Sequence, residues 1–387
     1  MLSRQKRAPL IDLSMKPKKA VIAALSCGDA DDVSLSLDEL VMLLKNVEVP
    51  VAARVVQKRK APDPAYFLGA GKALEIKEYA PPNEITHLVV DDFLTPTQRS
   101  NLQRLTGLVV WDRAFVIMKI FERRAVTAEA KLQVELAQYR YEIPSLKGLG
   151  RQMSRTGGGI GTRGPGETEF ERHRRKLDRR VKGIERSLEE VRRRRGERRE
   201  RRKRGGVPVA ALVGYTNSGK STLLKALSKD SEILAKDQLF STLDTVARRV
   251  SYRDGSGSFL LSDTVGFIRK LPPELVAAFR ATLEEASSAD LLLVVLDASR
   301  KNPCETLDIV LDTLRGLGAG ALPRIVVLNK IDKCGESAFF TAAEIRSRGE
   351  RVVSTCAIDG SGFEELLGEI KRIFADEVAA KVQKDIL

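Results

Sequence analysis

Three short runs in the second half of the chain combine residue types that could bind phosphates, a metal ion and a base. The first begins at Gly214, continues to Gly219, Lys220 and Ser221, and fits the pattern G-x-x-x-x-G-K-[ST]. Its glycines let backbone N–H groups curl around phosphates, the lysine reaches the β- and γ-phosphates, and the serine ligates Mg²⁺. The run follows the apolar segment 207–213 and opens a helix-like stretch, so phosphates would also meet a positive helix end. By itself the pattern also fits an ATPase or a glycine turn.

The last run, Asn329 to Asp332, identifies the base. It ends the apolar segment 324–328 and so lies at a carboxyl strand edge, where open α/β sheets bind ligands. Asp332 can accept hydrogen bonds from both N1–H and the exocyclic amine of guanine, which adenine cannot match, while Asn329 and Lys330 support the ring. We therefore predict a guanine nucleotide.

The middle run, Asp263 to Gly266, completes a nucleotide-dependent switch. Asp263 follows an apolar stretch and is placed to hold Mg²⁺ through water, while Gly266 can offer its N–H to the γ-phosphate. A threonine between the first two runs should meet Mg²⁺ and the γ-phosphate as the other switch segment. We prefer Thr242 and keep Thr245 as the alternative.

The residue after Gly266 bears on the rate of hydrolysis. Many relatives of such switches place a glutamine there to orient the attacking water, whereas this chain has Phe267. A phenyl ring cannot orient water. We therefore expect slow intrinsic hydrolysis that needs a partner to order the switch segments or to supply a polar group.

The composition favours a polyanionic partner. The 387 residues, 43% of them hydrophobic, allow two or three domains with real cores. There are 66 Lys and Arg against 52 Asp and Glu, a formal net charge of +14. Much of the excess lies in residues 171–204, with 18 Lys and Arg against 7 Asp and Glu.

The cysteines and histidines form no metal or disulfide pattern. Cys27, Cys304, Cys334 and Cys356 show no CxxC spacing, and the two histidines are isolated. This usage fits a reducing cytoplasm. No apolar run reaches the roughly 18 residues of a membrane span, and the N-terminus lacks a signal-peptide core. We expect a cytoplasmic protein without membrane insertion.

The first part of the chain alternates strand and helix patterns. Strands are predicted at 20–25, 51–56, 86–90 and 108–111, and helices at 37–46, 72–79 and 96–105. Strands that alternate with helices imply right-handed crossovers and a parallel sheet.

Two features of this part have both a structural and a functional interpretation. The run 66–72 contains Gly69 and Gly71 and resembles a phosphate loop, but it lacks the flanking pattern of a nucleotide site. We favour a tight strand-to-helix turn over a second nucleotide site. We interpret Asp91 and Asp92 as a solvated strand end rather than as catalytic carboxylates.

A third region carries apolar residues at heptad spacing. They are Leu132, Leu136, Tyr139 and Ile143 in one stretch and Leu177, Val181, Ile184, Leu188 and Val191 in another. Stripes this narrow pair most simply as an antiparallel helical hairpin. Its tip would be 144–167.

The predicted tip is rich in glycine and carries Lys147, Arg151, Arg155 and Arg163. Such a loop can press against phosphates and ribose. The alternatives are a disordered connector and, for the charged arm, a solvated helix face. The excess of positive charge on that arm favours RNA, so we predict that these four residues contact RNA.

Several runs resemble the HflX family of ribosome-associated GTPases, one of the Obg-HflX-like translational GTPases. They are GGGIGTRGPGET at 157–168, KLQVELA at 131–137 and DTVGFIRKLP at 263–272, with further similarity at 91–98 and 112–113. The similarity extends over about residues 20–374. It implies an N-terminal parallel α/β domain with a helical hairpin, then a Ras-like P-loop GTPase domain. It also implies binding to the 50S ribosomal subunit and its rRNA, and splitting of stalled ribosomes.

The resemblance carries the family's site for GTP or GDP with Mg²⁺ onto five segments. Its nucleotide-binding residues are Gly214, Tyr215, Thr216, Asn217, Ser218, Gly219, Lys220, Ser221, Thr222, Phe240, Ser241, Thr242, Leu243, Asp244, Asp263, Thr264, Val265, Gly266, Asn329, Lys330, Ile331, Asp332, Cys356, Ala357 and Ile358. Ser221 and Thr242 correspond to the Mg²⁺ ligands. No catalytic side chain is assigned with certainty, although Lys220, Thr242 and Gly266 should stabilise the transferring phosphate.

The chain departs from the family pattern at several points. Cys356 stands where the last guanine loop usually begins with serine, although the Ala357 N–H can still contact guanine O6. The family's Asp-Pro-Thr becomes Asp-Thr-Val at 244–246, and Pro273 replaces a usual histidine. We also expect much of the family's C-terminal extension to be missing.

We predict an N-terminal α/β domain at 1–125, the basic hairpin at 126–204, a GTPase domain at 205–375 and a short tail at 376–387. The expected protein is a monomer that hydrolyses GTP slowly, is stimulated by ribosomes, and splits or rescues stalled 70S ribosomes. The alternatives are a nucleotide-gated factor that silences ribosomes or assists 50S assembly, and an ATP-dependent RNA remodeller, against which Asp332 argues.

Overall fold

The computed structural model describes residues 18–27, 30–154, 165–204, 206–228, 246–264, 266–270 and 286–386. The chain divides into two compact units, Met1–Val116 and Ile117–Leu387. Several predicted residues lie outside the described residues: Phe240, Ser241, Thr242, Leu243, Asp244, Thr245, Val265 and Pro273 of the GTPase segment, and Arg155 and Arg163 of the tip.

The first unit contains a four-stranded sheet. Its strands are β1 (Ala20–Ser26), β2 (Val51–Lys58), β3 (His87–Val90) and β4 (Val109–Asp112), all parallel, in the order β2-β1-β3-β4. Its helices are α1 (Ala30–Asn46), α2 (Ala70–Tyr79) and α3 (Pro96–Thr106), and α4 (Arg113–Arg124) runs across the boundary between the units. The predicted parallel sheet is confirmed.

Local sequence explains where α3 begins and ends. The Thr95 side chain accepts from the Gln98 N–H while Gln98 reaches back to the Thr95 N–H, and Pro96 occupies the first turn. Gly107, with φ 73°, ends the helix in the left-handed region. Leu102 is thereby directed into the apolar core beside the sheet.

The second unit begins with a helical hairpin. It consists of α5 (Ala128–Ser154) and α6 (Pro165–Arg204). Three ion pairs join the helices: Glu129–Arg195, Glu135–Arg180 and Arg140–Glu185, each at 2.8 Å. Glu129 at the start of α5 pairs far along α6 at Arg195, whereas Glu135 and Arg140, further along α5, pair with earlier residues of α6, so the helices are antiparallel. Leu136, Leu177 and Ile184 of the predicted stripes are buried.

The hairpin differs from the prediction at its tip. We expected α5 to end at Pro144, but the helix continues to Ser154, so Lys147 and Arg151 are helical. A proline removes one backbone donor, which can kink a helix without ending it.

A six-stranded sheet forms the rest of the second unit. Its strands are β5 (Val209–Gly214), β6 (Val246–Ser251), β7 (Ser258–Asp263), β8 (Leu291–Asp297), β9 (Arg324–Asn329) and β10 (Val352–Thr355), in the order β10-β9-β8-β5-β7-β6. Only the β6–β7 pairing is antiparallel. The helices are α7 (Lys220–Ser228), α8 (Pro303–Gly316), α9 (Ser337–Ser347) and α10 (Phe363–Ile386). The last of these passes through most of the segment predicted to be a tail.

Helices cover both faces of this sheet. Leu223 of α7 and Leu366 of α10 pack in one apolar cluster, and Val310 of α8 and Ile345 of α9 pack in the other. Strand β8 is buried at every position, as expected for the centre of a parallel sheet covered on both sides. No helix in the described part of the chain is long and apolar enough to cross a membrane.

Candidate nucleotide-binding site

The three predicted runs meet at one edge of the six-stranded sheet. Strands β5, β7, β8 and β9 are parallel neighbours, so their carboxyl ends lie side by side. The ladder aligns Asp263 with Leu212 of β5 and Asn329 with Asp297. The register therefore gathers residues more than a hundred positions apart in the sequence.

Two glycines of the first run lie where no other residue fits. Gly214 has φ +147°, and a Cβ there would lie 2.3 Å from the Val295 carbonyl oxygen. Gly219 has φ +98°, and its Cβ would lie 2.1 Å from the side-chain nitrogen of Asn329. Both close approaches let the loop turn directly over the ends of β8 and β9.

The base-recognition run braces this loop. Asn329 Nδ2 donates to the Ser218 carbonyl at 2.9 Å, and Lys330 Nζ donates to the Asn217 carbonyl at 2.6 Å. Lys330 also pairs with Asp297 at 2.8 Å. Asn329 and Lys330 are therefore structural supports of the loop as well as predicted supports of guanine.

Lys220 is a buried cation held by carbonyl dipoles. Its ammonium donates to Tyr215 O at 2.7 Å and Gly214 O at 3.1 Å, and it has no ion-pair partner among the described residues. Burial lowers its pKa to about 8, Asp263 opposes this shift, and Arg300 and Lys330 add to it. A phosphate would supply the missing counter-charge, because an opposite charge favours the protonated form.

The oxygen atoms beside Lys220 suit Mg²⁺. Ser221 Oγ donates to Asp263 Oδ2 at 2.6 Å. Hydroxyl and carboxylate oxygens are hard ligands, and Mg²⁺ at nucleotide sites takes few protein ligands because phosphates and water supply the others. These two residues therefore fit the predicted ion, with Asp263 as the partner that acts through water.

Gly266 and Phe267 lie against the first loop. A Cβ on Gly266 would lie 2.8 Å from Lys220 Nζ and 2.9 Å from Thr216 Cα. The Thr216 N–H donates to the Phe267 carbonyl at 2.7 Å, and the Phe267 N–H donates to the Gly214 carbonyl at 2.9 Å.

The Phe267 side chain packs inward. It is 6% exposed and belongs to the same apolar cluster as Tyr215 and Val294. The phenyl ring is therefore part of the core, and this position offers no polar side chain to the site.

At the predicted base end, Asp332 is exposed and its Oδ1 lies 3.3 Å from Cys356 Sγ, which can donate to it. Burial raises the pKa of the Cys356 thiol, so it stays protonated. The Ala357 N–H already donates to Asn329 Oδ1 at 3.1 Å. If the Ala357 N–H also contacts guanine O6, as predicted, this single donor would serve two acceptors, Asn329 Oδ1 and guanine O6. Ile358 is 78% exposed.

Other predicted residues have mixed roles. The Thr264 hydroxyl donates to the Leu212 carbonyl at 2.7 Å and is buried, so only its backbone could reach a ligand. Within the described residues, neither Thr216 Oγ1 nor Ser218 Oγ has a hydrogen-bond partner, although both are buried. A ligand phosphate could accept from such hydroxyls.

Two residues of the edge were missed by the sequence analysis. Asp297 ends β8, pairs with Lys330, and accepts from the Ser299 N–H at 3.0 Å. The Arg300 guanidinium lies 5.2 Å from the Tyr215 ring centroid, and its NH2 group lies 3.5 Å from the Thr216 carbonyl. The signal that could have identified them is the apolar run 291–296, because polar residues at the end of such a strand lie at the edge of the sheet.

The first unit corrects one interpretation. Asp91, expected to be a solvated strand end, is 1% exposed and pairs with fully buried Arg113 at 2.5 Å. Glu39 lies 3.2 Å from the same guanidinium. Asp91 is shielded from water because β4 ends beside β3, and Arg113, the residue after β4, lies against the Asp91 carboxylate.

The glycine run of the first unit leads into a helix, but eleven residues separate the end of β2 from the start of α2, so the connection is longer than the tight strand-to-helix turn that we predicted. Gly69 precedes α2, and its N–H donates to the Gln57 side chain at 2.8 Å. Lys72 pairs with Glu75 one turn along the helix.

Comparison with known proteins agrees with this arrangement. Residues 34–122 match the family described as GTP-binding GTPase N-terminal, 124–202 its Middle Region, and 209–330 the family described as 50S ribosome-binding GTPase. The crystal structure of the SsGBP and GDP complex is similar with a TM-score of 0.53 and 26% identity, and covers 93% of this chain and 99% of that one.

Fold and sequence similarity together define a P-loop GTPase, a protein that binds and hydrolyses GTP. The chain is 42% identical over 368 residues to the GTPase HflX of Lacrimispora saccharolytica, covering 95% of this chain and 86% of that protein. It is 40% identical over 343 residues to that of Escherichia coli, covering 89% and 80%. The chain belongs to the HflX family of GTPases, which confirms the predicted fold class and family.

Proposed function

We propose that this GTPase acts on the large ribosomal subunit and splits or rescues stalled 70S ribosomes. GTP orders the two switch segments, the hairpin binds ribosomal RNA, and hydrolysis releases the protein. It would work as a monomer in the cytoplasm, where ribosomes are. The observation that carries this proposal is the concentration of positive charge on α6, where residues 171–204 hold 18 Lys and Arg against 7 Asp and Glu. The match of the GTPase segment to a family described as 50S ribosome-binding supports it.

The nucleotide would bind across the edge described above. Its phosphates would take the place beside Lys220 that only carbonyl dipoles now satisfy, and the β5–α7 loop would offer its N–H groups. Ser221 and Asp263 would hold Mg²⁺, with Thr242 as the further predicted ligand. When bound, the ion neutralises charge on the β- and γ-phosphate oxygens. Asp332 would select guanine.

Hydrolysis would be slow in the isolated protein. The inward position of Phe267 leaves no side chain at that point to orient water. Lys220 and the Gly266 N–H would stabilise charge on the transferring phosphate, which leaves water positioning to a partner. The ribosome, as the proposed partner, would supply or order the missing group.

The decisive experiment measures phosphate release from GTP by the purified protein, alone and with 50S subunits. We expect slow release alone and strong stimulation by 50S, with Lys220→Ala as the inactive blank. Rapid turnover without ribosomes would contradict the role given to the partner. Binding to 50S without stimulation, and without subunit separation from 70S, would favour a silencing factor.

A second experiment tests the RNA contacts at the tip. Replacing Arg151, Arg155 and Arg163 together with Ala should weaken cosedimentation with 50S and leave GDP affinity unchanged. The matched control replaces three exposed arginines elsewhere, Arg104, Arg315 and Arg372. Equal cosedimentation of the two triple variants would rule out the tip as the anchor.

A further inference from the structure

A third cation lies at the nucleotide edge, in addition to Lys220 and Lys330. Arg300 follows the end of β8, and its N–H donates to the Asp297 carbonyl at 3.3 Å. The Asp297 carboxylate accepts from the Ser299 N–H at 3.0 Å and from the Ser299 hydroxyl at 2.6 Å. These hydrogen bonds close a tight turn after the strand, and the turn places Arg300 beside the phosphate loop.

The Arg300 side chain is held by weak contacts. Its guanidinium lies 5.2 Å from the Tyr215 ring centroid, and its NH2 group donates to the Thr216 carbonyl at 3.5 Å, which is longer than an ordinary N–H···O bond. Asp297, the nearest acidic residue in the sequence, pairs instead with Lys330. In the described part of the chain no acidic side chain lies within ion-pair distance of Arg300. Most of its donors are therefore available to an acceptor that a ligand brings.

The guanidinium lies close to the predicted place of the γ-phosphate. A Cβ on Gly266 would lie 2.8 Å from Lys220 Nζ and 2.9 Å from Thr216 Cα, so these three residues border one narrow gap. Arg300 donates to the carbonyl of the same Thr216 and is thus one peptide group away from the gap. A change of side-chain rotamer moves a guanidinium by several ångströms. Arg300 can therefore reach the gap without movement of the backbone.

Two further observations indicate that this gap takes an anion. The side-chain hydroxyls of Thr216 and Ser218 are buried and have no hydrogen-bond partner within the described residues. Burial is the main cause of the lowered pKa of Lys220, and the positive charge of Arg300 lowers it further. Hydroxyl donors and two cations that repel each other surround the same space, and a phosphate between them would satisfy both.

We propose that Arg300 is an internal arginine finger, whose guanidinium leaves the Tyr215 ring when GTP binds and donates to the γ-phosphate oxygens during hydrolysis. A guanidinium suits this role because its planar fork donates two parallel hydrogen bonds to a phosphate. It also supplies charge at a site where Phe267 offers no polar group. The proposal rests on the nucleotide position proposed above and is independent of the ribosomal role.

Arg300 would stabilise charge without exchanging a proton. In hydrolysis the water oxygen forms a bond to the γ-phosphorus, and the bond from that phosphorus to the β–γ bridging oxygen breaks. The electron pair of the broken bond stays on GDP, and a proton of the water passes to the released phosphate. The guanidinium keeps all its protons and offsets the negative charge of the transferring phosphate. Orientation of the attacking water still requires a partner.

The test compares Arg300→Ala and Arg300→Lys with the wild-type protein. Single-turnover GTP hydrolysis is measured with and without 50S subunits. Binding of a fluorescent GDP analogue is measured with Mg²⁺, in the presence and absence of aluminium fluoride, which takes the place of the transferring phosphate. The matched control is Lys301→Ala, which removes the same charge from the next, exposed position.

We expect Arg300→Ala to hydrolyse GTP about 100-fold more slowly, as for other losses of one donor to a transition state. Its affinity for GDP alone should equal that of the wild-type protein, because GDP has no γ-phosphate, whereas the tighter binding with aluminium fluoride should be lost. Arg300→Lys should recover part of the rate, since it keeps the charge but not the planar fork. The Lys301 variant should behave as the wild-type protein does.

An unchanged rate in Arg300→Ala, with and without 50S, would overturn the proposal. So would an equal loss of affinity for GDP with and without aluminium fluoride, because Arg300 would then only support the loop through Tyr215 and Thr216. The nucleotide position itself is tested separately: if Lys220→Ala binds GDP as tightly as the wild-type protein, that position is wrong. If 50S gives no stimulation, the ribosomal role fails, while the aluminium fluoride measurement still decides the role of Arg300.

Discussion

The two sheets of this protein each hold a buried cation at the carboxyl ends of parallel strands, and they neutralise it differently. In the first unit, Arg113 lies between the carboxylates of Asp91 and Glu39. In the second, Lys220 is held by two backbone carbonyls, with no ion-pair partner among the described residues. A buried charge is costly unless an opposite charge neutralises it, and hydrogen bonds to carbonyl dipoles offset only part of that cost. The first edge contains its own counter-charges, whereas the second leaves that role to a ligand, which is why only the second has the character of an anion site.

The two glycine and lysine runs show the same contrast on a smaller scale. The Gly69 N–H is taken by Gln57, and Lys72 pairs with Glu75 on the helix surface. In the second unit the loop is braced from outside by Asn329, and its lysine points inward. The glycines alone therefore do not distinguish a phosphate loop. The difference lies in the hydrogen bonds that Asn329 donates to the loop from another strand, and in a buried lysine without an acidic partner among the described residues.

The largest expected effect comes from removing the cation of the first edge. Arg113→Leu would leave Asp91 and Glu39 buried without their counter-charge, and should cost about 3–5 kcal/mol of stability. Denaturant unfolding followed by the fluorescence of Trp111, the only tryptophan of the chain, measures this. GDP affinity at temperatures where the variant is folded should not change. If the variant bound GDP more weakly but kept its stability, Arg113 would have a role in nucleotide binding rather than the structural role assigned to it.

Phe267→Gln tests whether this position belongs to the core or to the site. Since the side chain packs with Tyr215 and Val294, the substitution should destabilise the second unit by about 3–4 kcal/mol, as for other losses of a buried phenylalanine. It should not accelerate hydrolysis. Phe267→Leu, which stays apolar, should recover much of the stability. Faster GTP turnover in the glutamine variant would show that the side chain can reach the attacking water.

Lys220→Ala should show the opposite signature from the Arg113 variant. We expect GDP affinity to fall by about 3 kcal/mol, on the order of 100-fold, because a charged hydrogen bond to phosphate is lost. Stability without nucleotide should be unchanged or slightly raised, since a desolvated ammonium is removed. Titration with a fluorescent GDP analogue measures the affinity. Lys72→Ala, the matched change in the first unit, should leave it unaltered.

The first unit should also lose stability in acid through His87. Burial, with a smaller effect of Lys18, lowers the pKa of His87 to about 4 from 6.5. Above pH 6.5 the histidine is neutral in both states; as pH falls toward 4 only the unfolded chain takes up the proton. Up to about 3 kcal/mol should therefore be lost over that interval.

Trp111 reports directly on this change, because its ring lies 4.6 Å from that of His87. Unfolding curves at several pH values should show a weaker pH dependence in His87→Gln than in the wild-type protein. An identical dependence in both would assign the effect to other groups.

The smallest expected effect concerns the base. Cys356→Ala removes the thiol beside Asp332 and should reduce the preference for GDP over XDP by about 1 kcal/mol, the usual worth of one hydrogen bond. Cys356→Ser should keep the preference, because a hydroxyl can donate to the same oxygen. Competition between the two nucleotides gives the ratio, and an unchanged ratio in the alanine variant would mean that Asp332 needs no such support.

By itself the sequence determined the alternation of strands and helices in the first part of the chain, the parallel first sheet, and the GTPase class. These rest on local information: apolar periodicity and motifs of adjacent residues such as Gly219–Lys220. Only the tertiary structure decided the burial of Asp91, the inward turn of Phe267, the helical course of α5 past Pro144, and the presence of Asp297 and Arg300 at the site. Each of these depends on which distant segment lies alongside, which is set by strand register and helix packing rather than by neighbours in the chain.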